Sequence, residues 1–115
     1  GDSPLIEQIM VVGENQKFAA ALIIPNFENL KTWAKENGIT YASNEELVNL
    51  KEVNKIILDE IKQRNHLLGE WEQVKKIKLL ADEWTTANGM LTPTLKMKRP
   101  IIQKHYKEEI QNLFN

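Results

Sequence analysis

Three cations crowd one short stretch, Asn88-Gly89-Met90-Leu91-Thr92-Pro93-Thr94-Leu95-Lys96-Met97-Lys98-Arg99-Pro100. Asn88-Gly89 is a turn signal. Pro93 and Pro100 push the residues before them out of the helical region, so an extended loop is expected between them. Such a loop presents Lys96 to a partner as a helix flank would not. The chemistry on offer is a compact, flexibly mounted ammonium, suited to offsetting negative charge on a carboxylate or phosphate. An isolated loop lysine is ordinarily solvated surface charge. Lys98 is read that way and is expected to point away from Lys96.

Other residues offer less. His66 follows Asn65 at an expected helix end, and His105 lies between Lys104 and Tyr106. Metal binding needs several convergent ligands. Two histidines so far apart give no such pattern, so both read as structural or exposed and no metal site is expected. Glu7, Glu108 and Glu109 have no arrangement that would set one carboxylate against another. Trp33, Trp71 and Trp84 read mainly as core or interface anchors; Trp84, shortly before the cationic loop, is the first choice for contact with another body. The basic set Lys96, Lys98, Arg99, Lys104 and Lys107 also fits a stand-alone binding module for an acidic partner or nucleic acid. No aromatic RNA-binding signature or groove-reading motif accompanies it, so nucleic acid is not expected.

Composition narrows the class. The 115 residues make one domain with a modest core, and 42% hydrophobic and 27% charged residues fit an ordinary globular chain. A net charge of −1 argues against nucleic-acid binding through the surface field. With no cysteine, disulfides, thiolate zinc sites and a cysteine nucleophile are excluded. No basic-then-apolar leader opens the chain, and the longest apolar run, residues 18–25, is far too short to span a bilayer. A cytoplasmic location is expected, peripheral at a membrane surface at most.

The elements that position the loop follow from periodicity. Asp2-Ser3-Pro4 reads as a short helix start, with Ser3 as N-cap. Ile9-Met10-Val11-Val12 is a β-prone run, Gly13-Glu14-Asn15-Gln16 a turn, and residues 17–24 a second strand. That strand places Phe18, Ala20, Leu22 and Ile24 on one face, and Ala19, Ala21 and Ile23 on the other. Both faces are apolar, so it should be covered on each side, with the hairpin at the sheet's centre. Asn26 caps a helix over residues 27–37 that stops at Gly38. Ser43-Asn44-Glu45-Glu46 is a capping box, opening one helical region to about Asn65 with Leu50, Val53, Ile57 and Ile61 in register; Gly69 marks a break. Residues 70–74 are transitional, and residues 75–80 form a third strand with Ile77 and Leu79 inward. From Pro100 onward Ile102, Tyr106, Ile110 and Leu113 define one final amphipathic helix. The fold class is α+β: a small sheet of about three strands, with a β-hairpin, flanked by helices.

The order of the loop, a glycine, LTPTLK at residues 91–96, Lys98-Arg99 and then a helix with His105-Tyr106, resembles the last motif of the AMP-forming acyl-CoA synthetases, particularly their long-chain fatty acid branch. The common superfamily form has Ser-Gly before the lysine; Thr94-Leu95 here looks like the long-chain version. SPLIEQIMVVG at residues 3–13 and ALIIPNFE at residues 21–28 resemble the opening of that branch's C-terminal domain and its second strand and following helix, so the likeness spans the chain. The resemblance implies that residues 1–115 are a single C-terminal subdomain, with the N-terminal AMP-binding domain and hinge absent. It places the catalytic lysine at Lys96 and the family's trailing arginine at Arg99, near nucleotide or coenzyme phosphates. It further implies ATP, Mg2+ and coenzyme A as requirements of the full-length enzyme, with none bound to this domain alone. The implied partners are the N-terminal AMP-binding domain and a fatty acid substrate. The domain by itself is expected to be folded and inactive.

Overall fold

The computed structural model describes residues 4–64 and 74–115. Their organising element is β2 (Ala19–Pro25), the middle strand of a three-stranded sheet. On one side β1 (Ile6–Val12) pairs with it antiparallel, as the hairpin signal requires. On the other side β3 (Val74–Leu79) pairs with it parallel. Parallel neighbours need a long crossover. Here that crossover contains α1 (Phe27–Glu36), α2 (Asn44–Val48) and α3 (Lys51–Arg64). The hairpin therefore contributes one central and one edge strand.

The two apolar faces of β2 head two separate cores. Ala20, Leu22 and Ile24 pack with Met10, Trp84 and Ile102, among others. Ala21 and Ile23 pack with Leu30, Val53, Ile57, Ile61 and neighbours from the three crossover helices. Ile77 and Leu79 join this second core. Truncating such a fully buried Leu or Ile to Ala costs about 2–5 kcal/mol. The first core is roofed by residues 80–98, α4 (Arg99–His105) and α5 (Lys107–Leu113). The cationic loop is thus rooted on the sheet face opposite α1–α3.

The caps act as their residue types dictate. Asn26 accepts from the Asn29 N–H, and Ser43 Oγ accepts from the Glu46 N–H; Gly38 takes the left-handed conformation at φ +67° that stops α1. Gly13 turns β1 into β2 at φ +117°, and a Cβ there would lie 2.9 Å from both the Phe18 carbonyl oxygen and the Phe114 ring.

Several boundaries differ from the sequence reading. Pro4 and Leu5 form a turn and the chain is extended from Ile6, because Ile6 pairs with Pro25 and the Leu5 carbonyl accepts from the Asn26 N–H. The region expected as one helix breaks between Val48 and Lys51, and the last helix breaks at Tyr106. At Tyr106 the backbone bonds continue, Tyr106 N to Ile102 O and Ile110 N to Tyr106 O, so the axis is disturbed without being unpaired. The Ser3 cap, Asn65, His66, Gly69, Trp71 and the transitional residues 70–73 lie outside the described residues.

Candidate functional site

Lys96 sits on a tight hairpin, not on the extended loop expected from its prolines. Leu91 and Met97 form an antiparallel bridge. Below it the Lys98 N–H donates to the Met90 carbonyl at 2.8 Å; above it the Thr92 N–H donates to the Lys96 carbonyl at 2.8 Å. The Leu95 N–H donates to the Thr92 carbonyl, also at 2.8 Å, and Leu95 has φ +67°. This is a three-residue hairpin loop, Pro93-Thr94-Leu95, closed by a left-handed residue at the position that usually takes glycine. Pro93 favours the turn by fixing its own φ. A non-glycine residue held in that region costs about 1–2 kcal/mol.

Side chains lock the hairpin from within. Thr92 Oγ1 accepts the Lys96 N–H at 3.0 Å and lies 3.1 Å from Thr94 Oγ1. Thr86 Oγ1 donates to the Thr92 carbonyl at 3.1 Å. In the preceding turn, Asn88 Oδ1 accepts from the N–H groups of Thr85 and Met90, and its Nδ2 donates to the Glu83 carbonyl. Met90 and Leu91 are buried in the first core, so the base is fixed while the tip projects.

Strand β1 holds the whole segment from the side. Gln8 grips the Trp84 backbone with both ends of its amide: Nε2 donates to the Trp84 carbonyl at 2.9 Å, and Oε1 accepts the Trp84 N–H at 2.8 Å. Arg99, just past the hairpin, donates from Nη2 to the carbonyl of Val11. Nothing in a sequence pattern announces Gln8; an isolated glutamine carries no spacing signal, and its partner is 76 residues away.

Lys96 is exposed, and its ammonium meets no carboxylate or other partner among the described residues. A cleft of about 580 Å3 between the β1–β2 turn and α5 is lined by Gly13, Lys107, Ile110 and Phe114, among others, but not by Lys96. The lysine is therefore presented outward from the hairpin. Lys98 is half-buried at the N-cap position of α4. Residues two apart in an extended segment share a face, so strand alternation does not set Lys98 opposite Lys96 as the sequence reading expected.

The remaining candidates fall away from the hairpin tip. Trp84 is 1% exposed in the first core, which corrects the expectation that it touches another body; a residue enclosed by Gln8, Tyr106 and the sheet has no free face. Trp33 is half-buried on α1 and packs against the second core. His105 is exposed and stacks edge-on against Tyr106. Burial pushes the Tyr106 hydroxyl above its ordinary pKa of 10.0; the nearby Trp84 indole opposes this, and Asp82 and Glu109 add to it. Glu7 accepts from Asn26 Nδ2, and Glu108 and Glu109 occupy the first turn of α5. Among the described residues no three or more His, Cys, Asp or Glu converge on a metal-sized site.

A family model described as the AMP-binding enzyme C-terminal domain matches residues 1–115. The chain belongs to this family. Among curated relatives of this C-terminal domain, long-chain-fatty-acid–CoA ligase 6 of Mus musculus is 38% identical over 114 residues, covering 95% of the chain and 16% of the ligase. Long-chain-fatty-acid–CoA ligase 1 of Homo sapiens is 36% identical over 113 residues, with 96% and 16% covered. The ligase FadD15 of Mycobacterium tuberculosis is 32% identical, with 97% and 19% covered. The domain thus spans about one sixth of the length of these mammalian ligases. Its fold is shared with the adenylation domain of a Mycobacterium chelonae carboxylate reductase, at TM-score 0.75 and 23% identity over 97% of this chain and 16% of that one. The A domain of the Segniliparus rugosus carboxylic acid reductase, solved with AMP and a co-purified carboxylic acid, superposes equally well.

Proposed function

We propose that this domain is the mobile C-terminal part of a long-chain fatty acid–CoA ligase, and that it delivers Lys96 into an active site built mainly by the preceding AMP-binding domain. The observation that carries this reading is an exposed lysine on a rigidly founded hairpin, its ammonium without a partner among the described residues. Long-chain ligases at 32–38% identity across nearly the whole chain support the substrate class.

Lys96 acts in the first of two half-reactions. A fatty carboxylate attacks the α-phosphorus of ATP, forming the acyl–phosphate bond as the bond to pyrophosphate breaks. Two anions must approach, and negative charge builds on the oxygens around phosphorus. An ammonium between them offsets the repulsion and stabilises the transition state more than the ground state. The hairpin supplies orientation: with Thr92 holding the Lys96 backbone, only the side chain remains to be ordered. Mg2+ would travel with the ATP phosphates, neutralising their charge, and this domain's described residues supply no convergent ligand set for it. Coenzyme A then displaces AMP through its thiol, with the C-terminal domain rotated so that Lys96 is withdrawn.

Arg99, which the resemblance sets near a nucleotide or coenzyme phosphate, also has a task within the domain. Its bond to the Val11 carbonyl ties the exit of the hairpin to β1, so its contribution is to hold Lys96 in place. Among the described residues no helix is long and apolar enough to cross a membrane.

Fatty-acid-dependent exchange of pyrophosphate into ATP tests the assignment. This domain alone is expected to show none, and joining it to the preceding domain of the same enzyme is expected to restore exchange. A folded, covalently joined protein without exchange would overturn the reading and favour a stand-alone module that binds an acidic partner.

A further inference from the structure

Among the described residues, the exposed large hydrophobic side chains are Leu95 at 70%, Met97 at 44% and Ile101 at 46%. All three fall within seven residues, and two of them flank Lys96. Exposed apolar residues scattered singly need no explanation, whereas three within one seven-residue stretch call for one. Leu95 adds a second observation. It occupies the left-handed position of the hairpin, where glycine is the unstrained choice, and its side chain stays 70% exposed, so burial within the domain does little to offset the strain. A strained leucine so little covered by its own domain is expected where it packs on something elsewhere.

We propose that Leu95 is an apolar anchor that seats the hairpin in a recess on the AMP-binding domain during adenylation, and so sets the depth at which Lys96 enters the site. This rests on the reading of Lys96 given above. The occupant follows from proportion and place: the domain spans about one sixth of the length of its ligase relatives, and the residue adjoining Leu95 is the one that must reach the other domain's active site. Leu95 is a positioning residue, not a catalytic one. Its burial on docking would contribute apolar contact in the adenylating arrangement alone, which favours that arrangement over the rotated one.

The test uses the full-length enzyme carrying Leu95→Gly, Leu95→Met and, as reference, Lys96→Ala. Leu95→Gly relieves the backbone strain, so its melting temperature should equal or exceed that of the wild type. Adenylation, read by pyrophosphate exchange, should nevertheless fall about tenfold or more, as misplacing a reacting group does. Thioester formation from preformed acyl-adenylate should be unchanged, and Leu95→Met should recover most of the adenylation rate. Unchanged adenylation in Leu95→Gly, equal loss of both half-reactions, or a lowered melting temperature would each overturn the anchor. Unchanged adenylation with weakened binding to phosphatidylserine–phosphatidylcholine vesicles would overturn it in favour of a membrane contact. If Lys96→Ala also adenylates normally, the failure lies with the reading of Lys96 and takes the anchor with it.

Discussion

Thr92 engages its N–H, its carbonyl and its hydroxyl inside one hairpin, to Lys96, Leu95, Thr86 and Thr94. Lys96, four residues on, uses its backbone in the same hairpin, and its ammonium has no partner among the described residues. Under the proposed function the two have separate roles, Thr92 shaping the loop and Lys96 offsetting charge in the transition state. Thr92→Val keeps the side-chain volume and removes the hydroxyl. It is expected to cost about 1 kcal/mol of stability, read as a lowered urea midpoint, and to slow adenylation while sparing thioester formation. An unchanged exchange rate would show that the hairpin does not depend on this hydroxyl. At this scale the sequence was informative about Lys96 only through its surrounding motif, since a lone loop lysine has no signature. It was silent about Gln8 and about the Arg99–Val11 bond, because both join residues 76 or more apart through polar atoms that leave no periodic trace.

Elements with strong periodicity were legible and their interruptions were not. The alternation in β2 correctly divided Ala20, Leu22 and Ile24 from Ala21 and Ile23, and the two sets head separate cores. The breaks at Asn49-Leu50 and at Tyr106 were missed because the buried stripe continues across each: Val48 to Val53, and Ile102 to Leu113. A disturbance of one or two residues does not shift the stripe enough to show. Tyr106 itself gives a measurable consequence. Its pKa is raised by burial, so between the unfolded value near 10 and the higher folded value the native state holds more protons than the unfolded chain. Stability supported by the neutral phenol is therefore complete below about pH 10 and is lost as pH rises through the folded value. Melting temperatures across pH 9–11 should fall more steeply for the wild type than for Tyr106→Phe. Parallel curves would mean that the buried hydroxyl does not resist ionisation.

As a whole, the molecule is a sheet with two cores, one completed by α1–α3 and the other by the lysine hairpin with α4 and α5. The first core fixes the hairpin's base through Met90, Leu91 and the Gln8–Trp84 clamp, so rigid movement of the domain carries Lys96 with it. That arrangement suits an enzyme whose small domain enters the active site for one step and leaves for the next. Trp84 shows where reasoning from sequence failed at this scale. Its nearness to the loop suggested an outer contact, whereas its indole fills the core beneath the loop and the exposed apolar residues lie at Leu95, Met97 and Ile101. Burial of an aromatic residue depends on what packs over it, which local sequence does not state. The most direct test of the central claim is to measure both half-reactions in the full-length enzyme with Lys96→Ala. Pyrophosphate exchange should fall by about 10²–10³-fold while thioester formation from preformed acyl-adenylate proceeds near the wild-type rate. Equal loss of the two, or undiminished exchange, would contradict the role given to Lys96.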